Sequence, residues 1–254
     1  MLKFFGKKSK PAPMAPVVVD HPMYVVGDLH GKYDLLLKLL DLINADYSNR
    51  TTTANPKLLF IGDFVDRGDQ SAQVLQHVME MQTADPETIL CLKGNHEKMM
   101  LDFLKDPIQK GRRWTRHGGL QTLASYNVRD ITERASPEQL EDARDALIDA
   151  MPTGMLNWLK TMPTTYNNGN LICVHAGLDP SRPTTDQSEN THMWGHPDFM
   201  SKPRRDNIWV AHGHTIVDQA GLQNGRVAVD TGAYATGRLT AVGFDGSENW
   251  ILQT

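Results

Sequence analysis

Cysteine is scarce in this sequence of 254 residues, which contains only Cys91 and Cys173. So small a number excludes the class of small secreted domains that disulfides hold together. Both cysteines stand in apolar stretches typical of strands. We therefore expect two buried, unreactive thiols in a protein of a reducing, cytoplasmic compartment.

Long apolar runs and an excess of positive charge are also missing. No run of about 18 apolar residues occurs, which argues against a membrane span and a membrane partner. The four lysines among the first ten residues precede no apolar segment, so we do not expect a secretory signal. The net charge of −4 disfavours nucleic acid as a partner. We expect a disordered tail over residues 1–16 and one monomeric domain over 17–254.

Three short polar strings each follow an apolar stretch of strand length. The stretches cover residues 23–26, 58–61 and 89–92, and the strings are GDLHG at 27–31, GDFVDRG at 62–68 and GNHE at 94–97. In open α/β sheets, ligands bind at the carboxyl ends of the strands. The aspartates, histidines and asparagine of these strings are therefore expected to gather at one edge.

Two later strands end in histidines. Residues 171–174 lead into His175, and residues 208–211 lead into His212 and His214. Five strand ends thus carry side chains that can bind metal. Oxygen donors mixed with imidazole suit Mn, Fe or Zn, and two such ions side by side are the usual means of cutting phosphate esters.

Helical periodicity surrounds these strands. Apolar spacing over 32–43 and 71–81 predicts crossover helices, so the first hundred residues form a parallel βαβαβ unit. Residues 105–160 lack strand patterns, and Ser136 with Gln139 predicts a capped helix, which indicates a helical insertion. Short connections between the later strands favour antiparallel pairing; those strands are predicted at 171–174, 208–211, 226–229, 239–244 and 249–252.

The polar strings resemble those of a known family. GDxHG, GDxVDRG, GNHE, HAG and GH occur in the order found in phosphoprotein phosphatases, a branch of the calcineurin-like metallophosphoesterases, over residues 24–244. VDTGAY at 229–234 is similar to the serine/threonine protein phosphatases of bacteria and phages. The resemblance implies an α/β fold of two packed, mixed β-sheets flanked by helices. It also implies two divalent ions, Mn first, with Fe or Zn as alternatives.

The resemblance also implies a set of metal ligands. One ion lies between the Asp and His of the first string, a bridging Asp serves both ions, and an Asn with two histidines holds the second. The implied ligands are Asp28, His30, Asp63, Asn95, His175 and His214. His212 and His214 end the same strand and share a face, and we choose His214 because it matches the GHT string of the bacterial and phage members.

By the same resemblance, four residues act on the substrate. His96 protonates the leaving group, and Asp66 keeps it oriented and charged. Arg67 binds two phosphate oxygens through its planar fork, and Asn95 also contacts the substrate.

The sequence departs from the family pattern after Trp194. Many members carry a second phosphate-binding Arg where this chain has His196. We expect His196 to bind substrate in its place, with Arg204 and Arg205 as other candidates. Trp114, at the start of the insertion, is expected to serve in packing.

The leading expectation for function is hydrolysis of phosphoserine and phosphothreonine in proteins or peptides, by direct attack of water activated between the two ions. The alternatives are a symmetrical dinucleoside tetraphosphate hydrolase and a broad phosphomonoesterase that also accepts phosphotyrosine. Asp66 and Glu97 disfavour the symmetrical hydrolase, whose pattern lacks that Asp and ends in GNHD. A binding module without catalysis is disfavoured because all the implied ligands are present.

Overall fold

The computed structural model describes residues 14–50 and 55–254. Its first sheet contains β1 (Met23–Val26), β2 (Lys57–Phe60), β3 (Ile89–Cys91), β9 (Thr240–Phe244) and β10 (Asn249–Gln253). The order across this sheet is β10-β9-β1-β2-β3. The strands β1, β2 and β3 are parallel, while β9 runs antiparallel to both of its neighbours.

The second sheet is built from later residues. It contains β4 (Thr165–Asn168), β5 (Leu171–Val174), β6 (Trp209–His212), β7 (Gly221–Gln223) and β8 (Arg226–Ala228). The order is β4-β5-β6-β8-β7, with β4 and β7 antiparallel at the two edges. The central pairs, β5 with β6 and β6 with β8, are parallel.

This parallel pairing corrects one prediction. Short connections favoured antiparallel pairs throughout the second half, and that was wrong for the centre of the second sheet. The chain between β5 and β6 is long enough to cross over and contains α8 (Glu189–Trp194), while β7 lies between β6 and β8. β4 and β7 were not predicted, because their polar sequences, TYNN and GLQ, lack an apolar run.

The two sheets share an apolar layer. Met23 and Val25 of β1 pack in one cluster with Cys173 and Ala211 of the second sheet. Tyr24, between them in sequence, belongs to the other large cluster, which includes the helices. Alternate residues of a strand point to opposite faces, so β1 is covered on both sides. The predicted fold class, two packed, mixed sheets flanked by helices, is confirmed.

The helices lie where periodicity predicts them. The crossovers α1 (Tyr33–Asn49) and α2 (Ser71–Ala84) run several residues beyond the predicted ends. Residues 107–161, which overlap the insertion predicted over 105–160, are largely helical. The helices from β3 onward are α3 (Asn95–Lys105), α4 (Pro107–Trp114), α5 (Leu120–Ser125), α6 (Pro137–Ala150), α7 (Met155–Thr161), α8 and α9 (Ala233–Thr236). Ser136 and Gln139 form the predicted capping box of α6.

The N-terminal prediction concerns residues that are described only in part. Residues 1–13 of the predicted tail lie outside the described residues. Ala15 O accepts a hydrogen bond from Trp209 Nε1 at 2.7 Å, and Pro16 O accepts one from Asn170 at 2.9 Å. The last residues of the predicted tail therefore contact the second sheet.

The cysteines and the helices of the described residues bear on two further expectations. Cys91 and Cys173 are free and buried, and burial raises the pKa of both thiols, as expected for inert core cysteines. No helix among the described residues is long and apolar enough to cross a membrane.

Candidate metal centre

Polar side chains from both sheets meet at the carboxyl ends of the parallel strands. They come from the loops after β1, β2, β5 and β6 and from the first turn of α3, which follows β3. The set consists of Asp28, His30, Asp63, Asn95, His96, His175 and His214. All of these side chains are almost fully buried except that of His214, which is half-buried. The structure thus brings the ligands implied by the resemblance into one place.

Asp63 lies at the centre of this group. Its Oδ2 is 3.2 Å from His175 Nε2 and 3.6 Å from His30 Nε2. Burial alone would raise the pKa of Asp63, but the neighbouring histidines hold it well below its usual range. Asp63 is therefore an ionised carboxylate between imidazoles on two sides.

Two groups of possible ligand atoms share Asp63. The atoms of His30, Asp63 and His96 lie within 4.8 Å of one another, and so do those of Asp63, His175 and His214. A carboxylate has two oxygens and can serve two ions, whereas an imidazole offers one nitrogen. The donor set fits two divalent ions of the Mn, Fe or Zn type.

Hydrogen bonds from the far side of the rings orient two of the histidines. His30 Nδ1 is 2.8 Å from Val65 O, and His175 Nδ1 is 3.1 Å from Ile61 O. A ring nitrogen that donates to a carbonyl leaves the other nitrogen with its lone pair available for metal. In both rings that other atom, Nε2, faces Asp63.

The charge balance also favours a cation. Burial alone would lower the pKa of His175, but the carboxylates of Asp63 and Asp28 raise it to about 10. His30, in contrast, has its pKa lowered to about 3 by burial. The carboxylates of Asp63 and Asp28 thus favour a positive charge at the centre. A bound divalent ion would supply that charge.

Asp28 differs from its implied role in one respect. It is absent from both of the groups formed by the described residues, and its two oxygens accept a hydrogen bond from His214 N at 3.1 and 3.3 Å. Burial and the charge of nearby Asp230 raise the pKa of Asp28. A Cβ at position 213 would collide with the Asp28 carboxylate, which explains the glycine between His212 and His214.

The first turn of α3 joins two of the loops. Asn95 Oδ1 lies 2.9 Å from His175 Nε2. Glu97 is fully buried and accepts hydrogen bonds from the backbone N–H groups of Asp63, Phe64 and Gly94 at 2.8–2.9 Å. Burial and the Asp63 charge raise the pKa of Glu97 to about 7. Glu97 thereby positions Asp63 by accepting a hydrogen bond from its backbone N–H, a role that the sequence did not reveal.

The loop backbones are strained at the site. The φ angles are 42° at His30, 54° at Asp63, 73° at Asp66, 71° at Arg67 and 60° at His214. Residues other than glycine seldom adopt the left-handed region, and such conformations cluster at functional sites because the surrounding structure must hold them.

His96 and Asp66 form the expected pair. His96 Nδ1 is 2.7 Å from Asp66 Oδ2, and Arg67 Nη2 is 3.2 Å from His96 Nε2. Burial alone would lower the pKa of His96, but the carboxylates of Asp63 and Asp66 raise it. The pair can therefore hold a proton on the ring beside Arg67.

Two residues of the insertion support Asp66. Trp114 Nε1 donates to its carboxylate at 3.0 Å, and Thr122 Oγ1 donates at 2.7 Å. The expected packing of Trp114 is confirmed, because its ring is buried and stacks on Phe103, but the sequence did not reveal the bond from its indole N–H to Asp66. Thr122 was missed, because nothing local in its sequence marks it as a partner of a residue 56 positions away.

Tyr234 and Asp230 were also missed as side chains of the site. The Tyr234 ring lies 4.6 Å from the Arg67 guanidinium carbon and 5.2 Å from the His30 ring. Asp230 is buried and accepts from Gly232 N at 2.8 Å. The VDTGAY string was the available signal, since both residues belong to it.

His212 does not belong to either ligand group. Its ring packs edge-on against Phe199 at 5.0 Å, within the buried layer on the outer face of the second sheet. Burial lowers its pKa to about 4, and within the described structure its Nε2 has no hydrogen-bond partner. Of the two histidines, only His214 is grouped with Asp63.

The structure places His196 beside other partners. Its Nε2 is 3.7 Å from Asp179 Oδ2, and its Nδ1 accepts from Asp198 N at 3.2 Å. Arg204 is buried and donates to Asp206, to Asp179 O and to Arg182 O, so its guanidinium serves the loop rather than the centre. The assignment of His196 to substrate remains a prediction.

These features agree with comparisons of the whole chain. A family model, calcineurin-like phosphoesterase, matches residues 21–242. The chain belongs to this family of metal-dependent phosphoesterases, which accounts for the buried carboxylate and imidazole cluster at the strand ends.

Within the family, one relative is the asymmetrical bis(5'-nucleosyl)-tetraphosphatase PrpE of Geobacillus sp. It is 27% identical over 234 residues, which are 85% of this chain and 88% of the relative. The fold is similar to that of a putative diadenosine tetraphosphatase, with a TM-score of 0.61 at 20% identity over 92% and 93% of the two chains. It is also similar to a cold-active protein-tyrosine phosphatase of Shewanella sp., with a TM-score of 0.56 at 18% identity over 92% and 80%.

Proposed function

We propose that this protein hydrolyses a phosphate bond with two divalent ions held around Asp63. The observation that carries the proposal is the Asp63 carboxylate, which belongs to both groups of possible ligand atoms. Asp28, His30 and Asp63 would hold one ion, and Asp63 would share the second with the remaining ligands, Asn95, His175 and His214. Ions bound there would supply the activation of water and the neutralisation of phosphate charge that hydrolysis needs.

The surrounding side chains supply the remaining chemistry. Arg67, fixed between Tyr234 and His96, is proposed to bind phosphate oxygens. His96 is proposed to deliver a proton to the leaving group from Nε2, while Asp66 holds the proton on Nδ1 and so sets the orientation of the ring.

The first candidate substrate is a dinucleoside tetraphosphate, cleaved asymmetrically. The support is the likeness to the curated tetraphosphatase PrpE, which extends over most of both chains. The motifs favour a protein phosphatase over a symmetrical tetraphosphate hydrolase. Because of this likeness, we instead rank the tetraphosphate hydrolase first and expect its cleavage to be asymmetrical. The leaving group in this reaction is a nucleotide phosphate, which departs readily without a strong acid.

The second candidate is a phosphoserine or phosphothreonine protein. The observation that favours it is the buried His96–Asp66 pair, with Asp66 held by Trp114 and Thr122. An alkoxide is a poor leaving group and needs a proton, whereas a phosphate leaving group does not. A site that holds a proton donor so firmly suits an ester.

Turnover of diadenosine tetraphosphate, phosphoserine peptide and phosphotyrosine peptide, measured side by side with added Mn, tests the proposal. Asymmetrical cleavage would release ATP and AMP, and symmetrical cleavage only ADP. We expect the highest kcat/KM for diadenosine tetraphosphate, with ATP and AMP as products. A higher kcat/KM for phosphoserine peptide would select the second candidate, and no turnover of any of them would refute both.

A further inference from the structure

A cavity of about 230 Å³ lies between three helices. Lys98 and Asp102 stand on α3, Lys110 and Arg113 on α4, and Trp194 at the end of α8. Its floor includes Trp114, whose indole N–H donates to Asp66.

The position of this cavity follows from helix geometry. Lys98 and Asp102 are three and seven residues after Asn95, so they lie on the same face of α3. At 1.5 Å per residue they stand about 4.5 and 10.5 Å further along the helix axis. On the other side, Ala176 N, next to His175, donates to His192 O of α8 at 2.7 Å. The cavity therefore runs alongside the centre.

The charge of the cavity is positive. Lys98 pairs with Asp102 at 2.5 Å. Among the residues that the structure describes, neither Lys110 nor Arg113 forms an ion pair, and both are exposed. The Arg113 guanidinium lies 4.7 Å from the centre of the Trp194 ring. A cation stacked on an aromatic face keeps its donors available and is held in one place.

We infer that this cavity is a subsite for a second phosphate group of the substrate, with Arg113 and Lys110 as its contacts. A chain of linked phosphates that has one group at the metal centre can continue along α3 towards these two cations. The inference deepens the proposed function, because it rests on a nucleoside polyphosphate as substrate. Charged hydrogen bonds from a planar guanidinium are the usual means of holding such a group.

Inhibition by inorganic tripolyphosphate tests this subsite directly. Hydrolysis of p-nitrophenyl phosphate is measured with free Mn held constant in excess, and inhibition by tripolyphosphate is compared with inhibition by phosphate. We expect tripolyphosphate to bind at least about tenfold more tightly, and Arg113→Gln to reduce that ratio roughly 3- to 10-fold. Arg112→Gln, the neighbouring exposed cation outside the cavity, should leave the ratio unchanged.

Three outcomes would overturn the subsite. One is that the ratio of tripolyphosphate affinity to phosphate affinity is the same in Arg113→Gln as in the wild type. Another is that this ratio decreases equally in Arg112→Gln and Arg113→Gln, which would indicate a general effect of charge. The third is a KM that rises in Arg113→Gln only for an acidic phosphopeptide, with tripolyphosphate inhibition unchanged, which would assign the cavity to peptides.

The same variants separate this inference from the proposed function. If diadenosine tetraphosphate is not cleaved but Arg113→Gln lowers the tripolyphosphate ratio, the subsite is supported and the tetraphosphatase proposal fails. If diadenosine tetraphosphate is cleaved with the same KM by wild type and Arg113→Gln, the activity is supported and the subsite is refuted.

Discussion

At the scale of single residues, His96 distinguishes the two candidate reactions. If His96 donates a proton, His96→Asn should slow hydrolysis of a phosphoserine peptide by ~10²–10⁴-fold. It should slow p-nitrophenyl phosphate and diadenosine tetraphosphate much less, because their leaving groups depart without a proton. Steady-state kcat on the three substrates measures this, and His21→Asn, at an exposed position, is the matched control. Equal losses on all three would indicate that His96 only positions other groups.

His196 is the other residue whose role a substitution can decide. An imidazole can donate one ring N–H to a phosphate oxygen, whereas arginine offers two parallel donors and a permanent charge. If His196 binds phosphate, His196→Ala should raise KM roughly threefold, and His196→Arg should lower it. A KM that His196→Ala leaves unchanged would show that the ring serves only its contacts with Asp179 and Asp198.

At the scale of elements, the insertion helices are expected to control how Asp66 holds His96. Trp114→Phe keeps an aromatic ring, although a smaller one, against Phe103 and removes the N–H donor. We expect kcat on a phosphoserine peptide to fall about tenfold, a smaller loss on p-nitrophenyl phosphate, and unchanged metal content. Trp158→Phe, which removes a hydrogen bond to Gln82 at 2.7 Å, is the control. Lost metal or a lower melting temperature in Trp114→Phe alone would indicate a structural role.

The contact between α1 and β10 should make stability depend on pH. Asp46 accepts hydrogen bonds from Tyr24 at 2.6 Å, from Arg50 at 2.8 Å and from Trp250 at 2.9 Å. Burial alone would raise its pKa, but these bonds lower it. A lowered folded-state pKa contributes stability above the unfolded value, about 3.9, and this stability is lost as the pH falls through the folded value.

Asp46→Asn should therefore lower the melting temperature at pH 7, where the carboxylate is ionised in both states. The difference from the wild type should shrink as the pH falls below about 4. Asp41→Asn, on the exposed side of α1, should show little difference at either pH. Calorimetric unfolding across this range measures both variants. A deficit for Asp46→Asn that persists undiminished at low pH would show that shape rather than charge is responsible.

At the scale of the whole molecule, the centre joins the two sheets. Asp63 follows a strand of the first sheet, and His175 and His214 follow strands of the second. Ions shared by these loops should therefore stabilise the sandwich. At 100 times the dissociation constant, one site contributes about 2.7 kcal/mol, which for a chain of this length is about 5–10 °C in Tm.

Calorimetry with Mn and with a chelator tests this, together with the metal content of the purified protein. We expect two ions per chain, and we expect Asp63→Asn to lose both ions and the rise in Tm. The exposed substitution Asp41→Asn should retain them. One ion per chain, or a rise in Tm that Asp63→Asn leaves intact, would contradict a shared carboxylate.

Much of this protein could be predicted without its structure, because the signals are local. Runs of apolar residues marked β1, β2, β3 and β5. Apolar residues recurring with the period of a helix marked the crossover helices. Turns with Asp, His and Gly after apolar strands marked the residues of the metal centre. Each of these signals lies within a few residues of chain, where backbone preference and periodicity operate.

Other features depend on contacts between distant parts of the chain. The parallel pairing of β5 with β6 and the bonds of Trp114 and Thr122 to Asp66 have no local signal. The VDTGAY string marks Tyr234, but nothing local shows that its ring stacks on Arg67. They arise when packing brings together strands, helices and loops that lie 38 or more residues apart in the sequence. The cavity between α3, α4 and α8 is of the same kind, because three separate segments create it and none of them contains a motif for it.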